Sequence, residues 1–387
     1  MSKKKHRKHE DLARPDLGVF HRNEWAFIGA PCGLIRKVVF ALSSSLAAQW
    51  KCGYVDADHA AGDSGEGADD HGVLLEYTDK INFHRYDTRR SQDTYHWRNR
   101  FAEMDMVFVN GNHFKANRQV VIVHPKKLES LERKLDRLTC VELVLLADGM
   151  GEVPAFLKSH LGEADVPVLK LEDTEALHTF FAKRMQERLP GVKGMVLAGG
   201  RSRRMKQDKS LIEYHGVPQR DYTFGQMRQC LDEVFMSCRP EQGATMMLEY
   251  PLVVDTYLNL GPMGAILSAF RQDPNSAWLV VACDLPLLDA ATIGYLLKNR
   301  NPSAIATAFR SPVDEFPEPL IAIWEPKAYP ALLSFLAQGF SCPRKVLINS
   351  PVELLTAPDP MALRNANTPE EAVEIARLIA ERGKEKI

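Results

Sequence analysis

The run Met195-Val196-Leu197-Ala198-Gly199-Gly200-Arg201-Ser202-Arg203-Arg204-Met205-Lys206-Gln207-Asp208-Lys209 opens on four apolar residues, turns on a glycine pair and ends among cations. Its start reads as a strand buried on both faces, the kind that builds a parallel sheet. The paired glycines let backbone N–H groups approach a phosphate chain without a Cβ in the way. Arg201, Arg203, Arg204 and Lys209 then place positive charge around the same turn, which polyphosphate needs. A solvated basic loop is the plainer alternative, but crowding these cations together is costly unless an anion gathers them.

Downstream, carboxylates recur at strand ends. Leu252-Val253-Val254-Asp255 is a strand that stops on an acid, and Gly261-Pro262-Met263-Gly264 opens a helix. Trp278-Leu279-Val280-Val281-Ala282-Cys283-Asp284 puts Asp284 at the carboxyl end of a buried strand, where open parallel sheets bind ligands. An Asp in that position often only caps a turn; behind a phosphate loop, a metal ligand is the better reading. Thr368 and Glu371 spell a capping box for a last helix from Pro369 to Arg382, so Asn365 and Asn367 beside it are explained almost as well by structure as by function.

Upstream, Pro190-Gly191 ends a helix running from Thr174 to Arg188 with Leu177, Phe180, Phe181 and Met185 on one face. Before it, the strands Trp25–Ile28, Tyr54–Asp56, Met106–Val109, Val120–Val123, Leu143–Leu146 and Val166–Leu169 alternate with helical runs, the first from Leu34 to Trp50. Residues 60–72, rich in Gly, Asp and Ala, have no periodic apolar face and read as a mobile loop. The chain is therefore expected to be α/β, with two domains, each a mostly parallel sheet covered by helices on both faces. The expected division is a disordered basic tail over 1–22, a first domain over 23–190 and a second over 191–387. Gly29-Ala30-Pro31-Cys32-Gly33-Leu34-Ile35-Arg36 stands where a P-loop would stand, but Leu34, Ile35 and Arg36 replace its second glycine, lysine and hydroxyl.

Composition removes several function classes. Of 387 residues, 49 are Lys or Arg and 50 Asp or Glu, so no global field draws nucleic acid or an anionic membrane. The best apolar runs, Val38–Leu42 and Leu279–Cys283, are far short of a membrane span. Seven scattered cysteines without ligand spacing fit reduced thiols in the cytosol. The expected location is cytoplasmic.

The segment Leu197–Lys209 resembles the LAGGxSxRMGxDK signature of the nucleotidyltransferases, in particular the molybdenum cofactor guanylyltransferases, with Lys206 where that family has Gly. The resemblance continues through Asp255, the GPLxG-like turn Gly261–Gly264, Asp284, Glu318-Pro319-Leu320 and Asn365-Ala366-Asn367-Thr368-Pro369-Glu370-Glu371. It implies a Rossmann-like domain of the nucleotide-diphospho-sugar-transferase type that transfers GMP from GTP to molybdopterin with magnesium and releases pyrophosphate. The nucleotide would then be held by Leu197, Ala198, Gly199, Gly200, Arg201, Lys209, Ser237, Asp255, Gly261, Gly264 and Asp284. Lys209, Arg204 and Asp284 would act in catalysis, Asp284 on the metal. Glu318, Pro319, Leu320, Asn365 and Asn367 would face the acceptor. Protein partners, on this resemblance, are molybdoenzymes or proteins that insert their cofactor. The glycine pair favours guanylyl over cytidylyl transfer; sugar-1-phosphate nucleotidyltransferases and a non-catalytic cofactor scaffold are the competing readings. The first half is similar to the MobB-like GTP-binding adaptor of molybdenum cofactor synthesis, with Asn110 where that family carries a carboxylate and with its P-loop degenerate.

Overall fold

The computed structural model describes residues 11–57, 74–88, 90–199, 208–246 and 249–384. The expected mobile loop at 60–72 lies outside them, as do Gly200, Arg201, Arg203, Arg204 and Lys206. The chain divides after Glu187 into two compact units, the first beginning at Asp16.

In the first unit, strands β1 (Glu24–Ile28), β2 (Cys52–Val55), β3 (Leu75–Lys80), β4 (Phe83–Thr88), β5 (Met106–Asn110), β6 (Arg118–Val123), β7 (Val141–Leu146) and β8 (Val168–Lys170) follow in order. Six of them form one sheet, β2-β5-β1-β6-β7-β8, parallel at every pairing. β1 is buried at every residue, as a central parallel strand covered on both faces must be. Phe181, on the helix Thr174–Glu187, meets Trp25, Phe27 and Phe108 at 5.2–6.0 Å between ring centroids. β3 and β4 are a separate antiparallel hairpin.

The tail expected to reach residue 22 is shorter. Phe20 is 1% exposed and stacks on Trp97. The buried Glu24 carboxylate accepts backbone N–H bonds from Val19, Phe20, His21 and Asn117 at 2.7–3.1 Å. A buried carboxylate needs such partners, and these fix residues 19–21 against the sheet.

The second unit holds β9 (Val192–Leu197), β10 (Val234–Cys238), β11 (Leu252–Val254), β12 (Ala277–Ala282), β13 (Ala306–Arg310), β14 (Pro317–Trp324) and β15 (Val352–Leu355). Their order is β11-β10-β9-β12-β14-β13-β15. β11, β10, β9 and β12 run parallel, while β14 is antiparallel to both β12 and β13. The parallel half positions the site. Along β12, Trp278 and Val280 enter one core layer, and Leu279 and Val281 the other, the period of two that a strand covered on both faces requires. The helix Pro262–Gln272 is almost wholly buried, with Ile266, Leu267 and Phe270 against the Trp278 layer.

Gly264 lies within that helix, where an added Cβ would stand 2.2 Å from the Tyr257 carbonyl oxygen. Its smallness lets the helix seat against the chain entering it. Gly264→Ala is expected to destabilise the protein by about 1–3 kcal/mol through overpacking, read as a lower urea midpoint.

Candidate active site

The carboxyl ends of β9, β10, β11 and β12 open onto a cleft of about 830 Å³. The turn after β9 forms its floor. Leu197, Ala198 and Gly199 line it, and a Cβ on Gly199 would sit 3.4 Å from the Arg239 backbone nitrogen. Two strands thus end close together, leaving backbone at the surface where side chains would otherwise stand.

Beyond the turn, Asp208 caps a short 3-10 helix (Lys209–Leu211), accepting from the Ser210 backbone N–H at 3.0 Å and its hydroxyl at 2.8 Å. This fixes the direction in which Lys209 leaves the backbone. Its Nζ donates to Asn367 Oδ1 at 2.7 Å and pairs with Asp284 Oδ2 at 3.6 Å. Asp284 follows β12, and its backbone carbonyl accepts the Ala366 N–H at 2.9 Å, which ties the C-terminal segment to the strand end. Desolvation pushes the Asp284 carboxyl above the ordinary range for Asp, with Lys209 pulling it back. Below Asn367 the capping box is complete: Thr368 Oγ1 accepts the Glu371 N–H at 3.3 Å, and Glu371 Oε2 accepts the Asn367 and Thr368 N–H groups at 2.6 and 3.1 Å. The cap that orders the last helix therefore also holds Asn367 on Lys209.

On the opposite wall, Ser237 donates to Asp255 Oδ1 at 3.2 Å, and both line the cleft. Burial pushes Asp255 up to about 6, against the opposing pull of the Ser237 hydroxyl and Arg239. Gly261, at φ 57°, precedes the helix Pro262–Gln272 without a side-chain cap; that residue and Pro262 line the cleft, so the uncapped first turn faces it. Asn259 takes a left-handed φ of 62°, which Asn tolerates better than most residues.

Other expected site residues stand apart from the cleft. Gly264 is a packing residue beneath it. Of the acceptor group, Leu320 lines the cleft, whereas Glu318 pairs with Arg344 at 3.1 Å, Pro319 is buried with its carbonyl accepting the Trp324 indole N–H, and Asn365 is exposed. The reading of the sequence missed Arg239, Glu241, Tyr257 and Leu258, which also line the cleft. Arg239 and Glu241 form an ion pair at 3.0 Å; their signal, a charged pair just after β10, was present but sat in no recognisable motif.

The Asp255 environment sets a pH dependence. Its proton is held more tightly in the folded state, where the carboxyl titrates near 6, than in the unfolded chain near 3.9. Stability is thus unaffected by this group at low pH, and is lost as pH rises through this interval. Asp255→Asn should therefore gain in melting temperature relative to the parent as pH rises from about 4 to 7, then hold a constant lead. A difference independent of pH would remove the assignment.

A parallel α/β sheet whose strand ends present a glycine turn, a held lysine and a half-buried carboxylate is the architecture of a nucleotide-binding enzyme. Residues 194–352 match the MobA-like NTP transferase domain. A molybdenum cofactor guanylyltransferase of Pseudomonas putida is 30% identical over 190 residues, 48% of this chain and 98% of that protein. A molybdenum cofactor biosynthesis bifunctional protein of Synechocystis is 33% identical over 183 residues, 47% of this chain and 53% of its own length. The crystal structure of a molybdopterin-guanine dinucleotide biosynthesis protein A from Archaeoglobus fulgidus is similar at 20% identity and a TM-score of 0.42, covering 49% of this chain and 99% of that one. The chain belongs to the MobA-like NTP transferase family, and it is a nucleotidyltransferase.

Proposed function

We propose that the second unit transfers GMP from GTP to molybdopterin with release of pyrophosphate. The observation that carries the reading is the Lys209–Asp284–Asn367 arrangement at the mouth of the β9 turn. A phosphate oxygen of the acceptor would attack the α-phosphorus in line, a reaction that needs positioning and charge neutralisation rather than a protein nucleophile. The Gly199 backbone N–H and the uncapped turn at Gly261 would take phosphate oxygens, while the Ala198 N–H is already given to the Ser237 carbonyl at 3.3 Å. Lys209 would take charge on the departing pyrophosphate. That the 30%-identical relative from Pseudomonas putida is a guanylyltransferase over nearly its whole length supports the choice of base and acceptor.

Magnesium fits these residues. The ion is usually held through one or two carboxylates, with waters and substrate phosphates completing the shell, and Asp284 offers a carboxylate beside the phosphate turn, with Asp208 also on the cleft. The bound ion would neutralise charge on the reacting phosphates. Pyrophosphate release, measured for each of the four ribonucleoside triphosphates with molybdopterin, tests the reading. GTP should be preferred; turnover with CTP alone would move the protein to the cytidylyl branch, and pterin binding without turnover would make it a scaffold.

For the first unit the proposal is an adaptor-like P-loop fold without hydrolysis. The helix after β1 begins at Cys32, only three residues beyond Gly29, leaving little loop to wrap a phosphate. Ile35 is fully buried and Arg36 lies over the Phe40 ring.

A further inference from the structure

At the carboxyl edge of the first sheet, three neighbouring strands deliver one group each to a single point. Cys32 is the first residue of the helix after β1, Asp56 follows β2, and His113 lies just beyond β5. His113 Nε2 stands 3.2 Å from Cys32 Sγ and 3.9 Å from Asp56 Oδ1. The strand order β2-β5-β1 brings the three together although they lie far apart in sequence.

The surroundings hold this geometry. Asp56 Oδ1 accepts from Asn110 Nδ2 and the Ala57 N–H, each at 2.8 Å, and Oδ2 accepts the Tyr54 hydroxyl at 2.7 Å. Burial and the bond to Asp56 drive the Tyr54 phenol well above its usual range, so it stays a neutral donor. Asn112 reaches the Ala30 carbonyl at 2.8 Å and Cys32 Sγ at 3.5 Å. Cys32 remains half-buried rather than sealed. It opens a helix of 15 residues, Cys32–Leu46, that has no side-chain cap. Arg36 is one turn along the same face, and Lys134 is within electrostatic reach of the thiol.

A sulfur nucleophile, a base within hydrogen-bond reach and a carboxylate beside the base make up an activated thiol. We propose that Cys32 and His113, with Asp56, form a thiol–disulfide exchange site in the first unit that takes small anionic disulfides. In the step, the Cys32 thiol proton passes to His113 Nε2 and the sulfur attacks one sulfur of the disulfide. That S–S bond breaks as the Cys32 mixed disulfide forms, and the departing thiolate takes the proton from His113. The disulfide is the oxidant and is reduced to one thiol, while Cys32 is oxidised. Lys134 and Arg36 meet the ligand's negative charge. The site belongs to the first unit and does not depend on how the transferase cleft is read.

The test is the rate of mixed-disulfide formation at each cysteine of the full chain, followed by peptide mass spectrometry. The probes are dithionitrobenzoate, a dianionic disulfide, and cystamine, a dicationic one. Cys140 and Cys342 are exposed and serve as references. Cys52, whose thiol burial pushes up to about 11, stays unreacted while the first unit is folded. Cys32 should react with dithionitrobenzoate about tenfold faster than Cys140 despite its lower exposure. His113→Gln should bring it to or below the Cys140 rate, and Lys134→Ala should erase its preference for the anionic probe over cystamine. If His113→Gln exposes Cys52, the parent-protein comparison and Lys134→Ala decide alone. A Cys32 rate no greater than that of Cys140, or a rate unmoved by His113→Gln in a folded protein, overturns the proposal.

Discussion

Asp284→Asn is expected to lower turnover by about 100-fold or more, while leaving the fold intact. The change keeps the side chain's shape and removes its charge. Asp284 is the carboxylate at the end of β12 that lines the same cleft as the glycine turn, and it lies 3.6 Å from Lys209. Losing a principal electrostatic stabiliser typically costs about two to three orders of magnitude. Stability should rise slightly if it moves at all, because desolvation already disfavours the charged form. Steady-state pyrophosphate release with a parallel melting curve separates the two effects. Near-parental rates at saturating magnesium would sink the role given to Asp284.

Lys209→Ala should weaken triphosphate binding and slow transfer together, for a combined loss of about 100-fold in kcat/KM. The ammonium is held between Asn367 and Asp284 before any ligand arrives, so little ordering remains to be done on binding. Asn367→Ala keeps the charge but frees the side chain. It should lose only about tenfold, mostly in kcat. Equal losses in both variants would mean that Asn367 touches substrate itself rather than only positioning the lysine.

Much of this architecture could be read from residues alone. The β9 strand and its glycine turn, Asp284 at the end of β12 and the Thr368–Glu371 cap each rest on a local rule, whether apolar runs, backbone freedom or capping chemistry, and such rules act over a few neighbouring residues. What stayed hidden depends on distant partners. The antiparallel insertion of β14 between β12 and β13 cannot be told from a parallel strand by its apolar pattern. Arg239 and Glu241 reach the cleft only because β10 lies beside β9. Residues 16–22 looked like tail because the partner that secures them, the Glu24 carboxylate, reads locally as one more surface charge. Gly264 matched a nucleotide-binding turn, yet its need for smallness comes from the Tyr257 carbonyl, a contact without any sequence signature.

The bond from Lys209 to Asn367 joins residues 158 positions apart. During synthesis, a nascent chain that has emerged just past β12, as far as Asp284, already carries the lysine, the glycine turn and that carboxylate, yet lacks the amide that aims the lysine and the capped helix that steadies that amide. Competence for transfer would therefore arrive late on the ribosome, after most of the second unit's core has had time to form. Trimming by a protease at the last helix would have the reverse consequence, unhooking the lysine while leaving the sheet in place. Loss of activity would then precede loss of structure.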